Sequence, residues 1–187
     1  MDRLSFTAKR GGFTLVEVLV VVLLAAIAMA AGAPAMQRLV AGNRVDMESR
    51  RLLSALQLAR SEAVSGNTVV SVCPSVATRD APVACGGRYA DGWIVFANPG
   101  RDPLVQPASD RVIRYFESLP AGYGVRNRQG TRDANELVSY RADGTASRNL
   151  TLQVCPPEAV QARPISVVLS MIGRARLQRD WGTCRVS

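Results

Sequence analysis

Two hydrophobic rhythms divide the chain. From Phe13 to Met36 apolar and small residues run almost unbroken, and Glu17 is the only charged residue among them. A helix of that length reaches about 36 Å, enough to cross a hydrocarbon core of ~30 Å. Downstream the run gives way to a helical period. Val45, Leu52, Leu56, Ala59 and Ala63 recur on one face, while Arg44, Asp46, Glu48, Arg50, Arg51 and Arg60 fill the other sides. Ser65-Gly66-Asn67 is a C-terminal stop. One helix is therefore expected from Phe13 to Ser65, near ~80 Å long. Gly32 and Pro34 interrupt it, so a kink or helix break is expected at Pro34.

After Gly66 the period shortens. Segments 68–73 (TVVSVC), 92–96 (GWIVF) and 112–116 (VIRYF) read as strands. ELVSY at 136–140 precedes Asp143-Gly144, a hairpin signal, with a return strand over Ser147–Cys155. ISVVLS at 165–170, a turn at Gly173 and RARLQ at 174–178 predict a second hairpin. The intervening 74–91, 98–110 and 120–135 are rich in proline, glycine and aspartate and read as loops. A long helix followed by short strands is an α+β pattern, with small antiparallel sheets packed on the helix's C-terminal half. Both tryptophans, Trp93 and Trp181, are expected to pack in the sheets, Trp93 in the core. No repeat or low-complexity tract is present.

Charge and cysteine content sharpen this outline. The 187 residues carry a net charge of +8, and Lys9 is the only lysine. The excess of arginine has two readings: coding bias toward GC-rich codons, or a surface that grips phosphate in bidentate fashion. Histidine is absent from the sequence, which removes the commonest general base and metal ligand. There is no GxSxG and no phosphate-cradling GxxxxGK. The sequence therefore predicts no enzyme, no cofactor, no metal site and no small-molecule substrate. Cys73, Cys85, Cys155 and Cys184 lack a CxxC pair, which is poor zinc spacing. Behind a membrane-directing segment an even count reads as two disulfides in an oxidising compartment, with three pairings open.

Glu17 needs a reason. A secretory signal would use Arg3, Lys9 and Arg10 as its basic region and Ala31-Gly32-Ala33 as its cleavage site. A plain single-span anchor would keep its basic end in the cytoplasm. Neither has use for a carboxylate whose insertion deep in a membrane costs about 2.5–3.5 kcal/mol. The stretch Gly12-Phe13-Thr14-Leu15-Val16-Glu17, behind a short basic leader, resembles the type III signal of type IV pilins and type II secretion pseudopilins. The resemblance implies cleavage between Gly12 and Phe13 by prepilin peptidase and N-methylation of Phe13. Glu17 then lies one helical turn from the new amine and is placed to pair with it, in its own chain or in an assembled neighbour. In an apolar medium that attraction is far stronger than in water, and burying both charges is tolerable only when they meet. Loss of the leader takes the net charge from +8 to +6, since it removes Arg3, Lys9 and Arg10 against Asp2.

The remainder is similar to the GspH/FimT group of minor pilins and pseudopilins. The markers are Asn43-Arg44, the run from Leu53 to Ala63 (LSALQLARSEA), Gly92-Trp93-Ile94-Val95-Phe96 and Ser170-Met171-Ile172-Gly173-Arg174-Ala175-Arg176. The resemblance implies the pilin fold, assembly with other pilins through the N-terminal helix, and local melting of that helix around Pro34 in a filament. Four segments follow: 1–12 a leader, 13–36 a transmembrane and assembly helix, 37–66 the amphipathic half of the same helix, and 67–187 a β-rich pilin domain. An inner-membrane, single-pass protein with a periplasmic domain that later joins a filament tip is implied. On the strand layout, Cys73–Cys85 and Cys155–Cys184 are the expected pairs; the second also matches the family's habit of a disulfide near the domain's end. Some similar pilins carry a GRxR stretch here and bind DNA for transformation. Gly173-Arg174-Ala175-Arg176 fits it, and with Arg179 and Arg185 forms a candidate DNA surface; many relatives carry a similar Gly-Arg as an ordinary hairpin.

Overall fold

The computed structural model describes residues 12, 14–76, 84–100, 110–160 and 162–184. The chain divides into two units, Met1–Gln37 and Arg38–Ser187. One helix, α1 (Leu15–Ser65), runs through the boundary, and eight strands follow it among the described residues. The expected break at Pro34 is not found: α1 continues through it. A proline forfeits one N–H donor, yet Ala28, Ala30, Ala31, Ala33 and Ala35 flank it with the highest helix propensity of any residue.

In the first unit the apolar side chains of α1 are exposed, from Leu15 through Met36, and the helix contains a stretch long and apolar enough to cross a membrane. In the second unit one stripe is buried: Ala41, Val45, Leu52, Ala55, Leu56, Ala59 and Ala63. That is the face the 3.6-residue period predicts.

Two four-stranded antiparallel sheets cover the stripe. The first has the order β3 (Arg111–Phe116), β2 (Trp93–Ala97), β1 (Val70–Pro74), β5 (Val138–Tyr140). The second has the order β4 (Gly124–Arg126), β6 (Leu150–Cys155), β7 (Ile165–Leu169), β8 (Ala175–Arg179). Val70, Val72, Trp93 and Val95 from the first sheet, and Leu152, Val154, Val167 and Leu169 from the second, join the helix in one core cluster. A smaller cluster, Cys73, Ile94 and Phe96, lies on the first sheet's other face with Cys85 against it. Trp93 is the largest core side chain, 1% exposed and stacked on Phe116 at 5.3 Å between ring centroids.

Two strand expectations change. The Asp143-Gly144 turn closes as expected, with Gly144 N–H donating to the Arg141 carbonyl at 2.8 Å and Arg141 N–H to the Thr145 carbonyl at 2.9 Å. The return segment then leaves: β5 pairs with β1, while β6 pairs with β4 and β7. Five paired positions with β7 bury Leu152 and Val154, more than three-residue β5 can offer. β4 also lies where a loop is expected. It pairs Val125 with Val154 and buries that one valine among polar neighbours, too short a run to show a period.

Candidate functional site

The start of α1 is built by Thr14. Its hydroxyl accepts the Glu17 N–H at 3.2 Å, and its carbonyl accepts the Val18 N–H at 3.2 Å. Thr14 is thus the N-cap and Glu17 the third helical residue, the T-x-x-E spacing of a capping box. Glu17 is exposed, in the first turn, where the helix dipole favours negative charge. Thr14, three residues before Glu17, is the sequence signal for this helix start, and it is independent of the amine pairing expected for Glu17. Gly12 is exposed; Phe13, with the amine expected to meet Glu17, lies outside the described residues.

The disulfides sit at the two outer faces. Cys73 is bonded to Cys85 and Cys155 to Cys184, with Cα separations of 5.5 and 5.8 Å. Cys155, like Gln153, lies on the side of β6 away from the helix, so the second bridge draws the C-terminal segment back across that face. Gly182 rests on the Gln153 amide, where a Cβ would collide with its side-chain oxygen. Thr183 donates its hydroxyl to the Gln129 carbonyl at 3.2 Å. Cys155→Ser with Cys184→Ser is expected to cost about 3 kcal/mol by loop entropy and to free residues 181–184. A urea midpoint that does not move in the double variant would count against a structural bridge.

The four arginines singled out by sequence separate. Ala175 and Leu177 pack on the core, so alternation puts Arg174 and Arg176 on the outer face, both exposed. Neither guanidinium group makes a hydrogen bond or ion pair among the described residues. Arg179 has the opposite parity and turns toward the helix, where it meets Asp46 at 3.4 Å. Asp46 also accepts from Arg50, and that hydrogen bond, with the smaller effect of Arg179, holds its carboxyl below the usual range. Arg179 therefore stands apart from Arg174 and Arg176, though its side chain is largely exposed, and Arg185 lies outside the described residues. Trp181 corrects the expectation of a packed side chain: it is 40% exposed, with the Arg128 guanidinium 4.5 Å from its ring centroid. It follows β8, past the last core-facing position.

Gly173 itself is a packing residue. Its φ is +80°, and a Cβ there would run into the Gly144 carbonyl. The turn between β7 and β8 therefore lies directly on the Asp143-Gly144 turn. Arg60 of α1 ties both, donating to the Gly144 carbonyl at 3.1 Å and the Ile172 carbonyl at 3.5 Å.

Comparison with known proteins places this architecture. The model of the family described as type II transport protein GspH matches residues 48–173. The chain belongs to the GspH family. A prokaryotic N-terminal methylation motif matches residues 7–33, across the Gly12–Phe13 junction. Among solved structures, the minor pseudopilin EpsH of the Vibrio cholerae type 2 secretion system is 13% identical over 73% of this chain and 97% of that one, with a TM-score of 0.51. The type IV minor pilin FimU of Pseudomonas aeruginosa is 19% identical over 76% of this chain and 96% of that one, with a TM-score of 0.49. No curated protein sequence matches the chain significantly. As a GspH-family member, the chain is of the minor pilin and pseudopilin kind, and its helix-then-two-sheets architecture is the pilin fold.

Proposed function

We propose that this protein is a structural subunit that initiates or caps a type IV pilus-like filament. It is cut after Gly12, methylated on Phe13, held in the inner membrane by its first helical half with the β-rich domain in the periplasm, and then assembled through α1. The observation that carries the reading is the change along α1. From Leu15 to Val40 its apolar side chains stay exposed, whereas from Ala41 one stripe is covered by the chain's own sheets. An apolar helix left uncovered needs lipid first and other pilin helices afterwards. Glu17 would meet an N-terminal amine there, and Pro34, helical in the single chain, is the proposed point of melting in the filament.

The test is the intact mass and N-terminal sequence of the protein from its native membrane. A chain beginning at methylated Phe13, four hydrogens lighter than the reduced mass, is expected. A chain beginning near Pro34 would mean a secreted domain and end the filament reading. Glu17→Ala is expected to be cleaved normally yet poorly incorporated into filaments. Normal incorporation would remove the reason offered for Glu17.

Two cysteine pairs and the Gly-Arg-Ala-Arg turn support the pilus over the secretion machine. The family's description as a type II transport protein supports a second reading, a tip subunit of a secretion pseudopilus. Neighbouring genes, for pilus minor pilins or for secretion components, discriminate them. A DNA-capturing role in the pilus setting is supported by the exposed Arg174 and Arg176, whose guanidinium groups have no partner among the described residues.

A further inference from the structure

The outer face of the second sheet brings together residues far apart in sequence. Register sets Val168 between Thr151 and Arg176, and Ser170 beside Arg174, whose carbonyl accepts the Ser170 N–H at 3.1 Å. Thr151, Val168 and Ser170 floor a groove of about 440 Å³ that Arg128 and Trp181 also line. Arg176 on the neighbouring edge strand β8, and Arg174 just before it, border that floor beside Val168 and Ser170. The groove thus holds a guanidinium–indole pair and has at its border two exposed arginines whose guanidinium groups have no partner among the described residues. The carboxylate lining it, Glu136, is paired with Arg132.

We propose that this groove takes a single strand of nucleic acid, with an unpaired base stacked on the Arg128–Trp181 platform and its phosphates along Arg174 and Arg176. The inference rests on the DNA-capturing reading above and deepens it. Phosphate alone would be served by the two edge arginines, and a duplex would reach no further, because its bases are stacked on one another. An aromatic and a guanidinium plane inside a concave, positively charged groove suit an unstacked base, whatever its identity. The tail that presents Trp181 is tethered to this face by the Cys155–Cys184 bridge and by Gly182 on Gln153.

The chain offers its own probe. Trp93 is buried against Phe116, so a change in tryptophan emission on adding ligand reports Trp181. The full chain in neutral detergent is titrated at several salt concentrations with end-labelled oligo-dT and duplex DNA of the same length, whose fluorescence anisotropy also reads variants lacking Trp181, and with polygalacturonate as a competitor. Saturable quenching by oligo-dT, at about tenfold or more higher affinity than duplex, is expected. Trp181→Ala should remove that preference while Trp181→Tyr restores it. Arg174→Ala with Arg176→Ala should weaken both ligands and flatten the salt dependence. Equal affinity for duplex, unchanged by Trp181→Ala but lost in the double arginine variant, would overturn the stacking site and leave the DNA reading standing. No binding of either nucleic acid would remove both. Tighter binding of polygalacturonate would overturn the proposal in favour of an acidic glycan. Unchanged urea midpoints in the variants show that the groove, and not folding, was tested.

Discussion

Gly173→Ala is expected to destabilise the protein by about 4 kcal/mol, a large share of the 5–15 kcal/mol typical of a domain. Two costs add. The position has φ +80°, and holding an L side chain in a sparsely populated region costs about 1–3 kcal/mol. The new Cβ would also strike the Gly144 carbonyl, a backbone atom that no rotamer change can move aside. Forcing such an overlap costs about 1–3 kcal/mol more. Relief requires the two turns to part, which strains the Arg60 hydrogen bonds to Gly144 and Ile172. Urea denaturation in neutral detergent, followed by circular dichroism, reads this as a lower midpoint at unchanged slope. A loss below about 1 kcal/mol would mean that the turns are not packed as described. The variant keeps Arg174 and Arg176, so it also separates the glycine's packing role from anything the arginines do.

Trp93→Ala should cost about 4 kcal/mol, within the usual range for truncating a buried tryptophan. Its ring fills the space between helix and first sheet. Phe116 stacks on it, Tyr89 lies 6.3 Å away between centroids, and the Arg51 guanidinium sits 4.6 Å from its centroid. Arg51 is paired in turn with Glu48, a buried carboxylate, at 2.9 Å. Removing the indole leaves a cavity beneath a charged pair, where water can enter and loosen it. Trp93→Phe should recover more than half of the loss, and a thermal melt of the two variants checks the order. Equal losses for both would show that the charged pair, and not ring volume, sets the cost.

Much of this architecture is legible in the sequence because helix and strand periods are local. Val45, Leu52, Leu56, Ala59 and Ala63 mark the buried stripe before any tertiary contact is known, and Gly173 marks its turn. What is not legible depends on partners. The Asp143-Gly144 turn is correct, yet which strand Leu150–Cys155 joins is decided by β7, which follows it in the chain. β4 has only Val125 to bury, so its pairing with β6 leaves no period to read. Arg179 and Arg176 look alike as residues, and the parity of an edge strand sends one to Asp46 and the other to solvent. Trp181 shows the same limit: composition says aromatic and therefore buried, whereas its place beyond the last core-facing residue leaves it beside Arg128. At the other end, Thr14 was readable, through its spacing to Glu17, as the residue that starts the helix.

The joining of both sheets to one helical stripe has a kinetic consequence. Val70 and Val95 share a cluster with Leu152 and Val167, and Arg60 stitches a turn from each side to the same helix. Apart from the small Cys73, Ile94 and Phe96 cluster on the first sheet's outer face, neither half has a hydrophobic interior of its own to retain once the other has left. Backbone amides of β1 and β7 should therefore exchange with solvent deuterium at one shared free energy, that of the domain's global opening, while the edge strands fray sooner. A subunit built in this way is folded or unfolded with no stable half-state between, which denies proteases a partly opened form while it waits to be assembled.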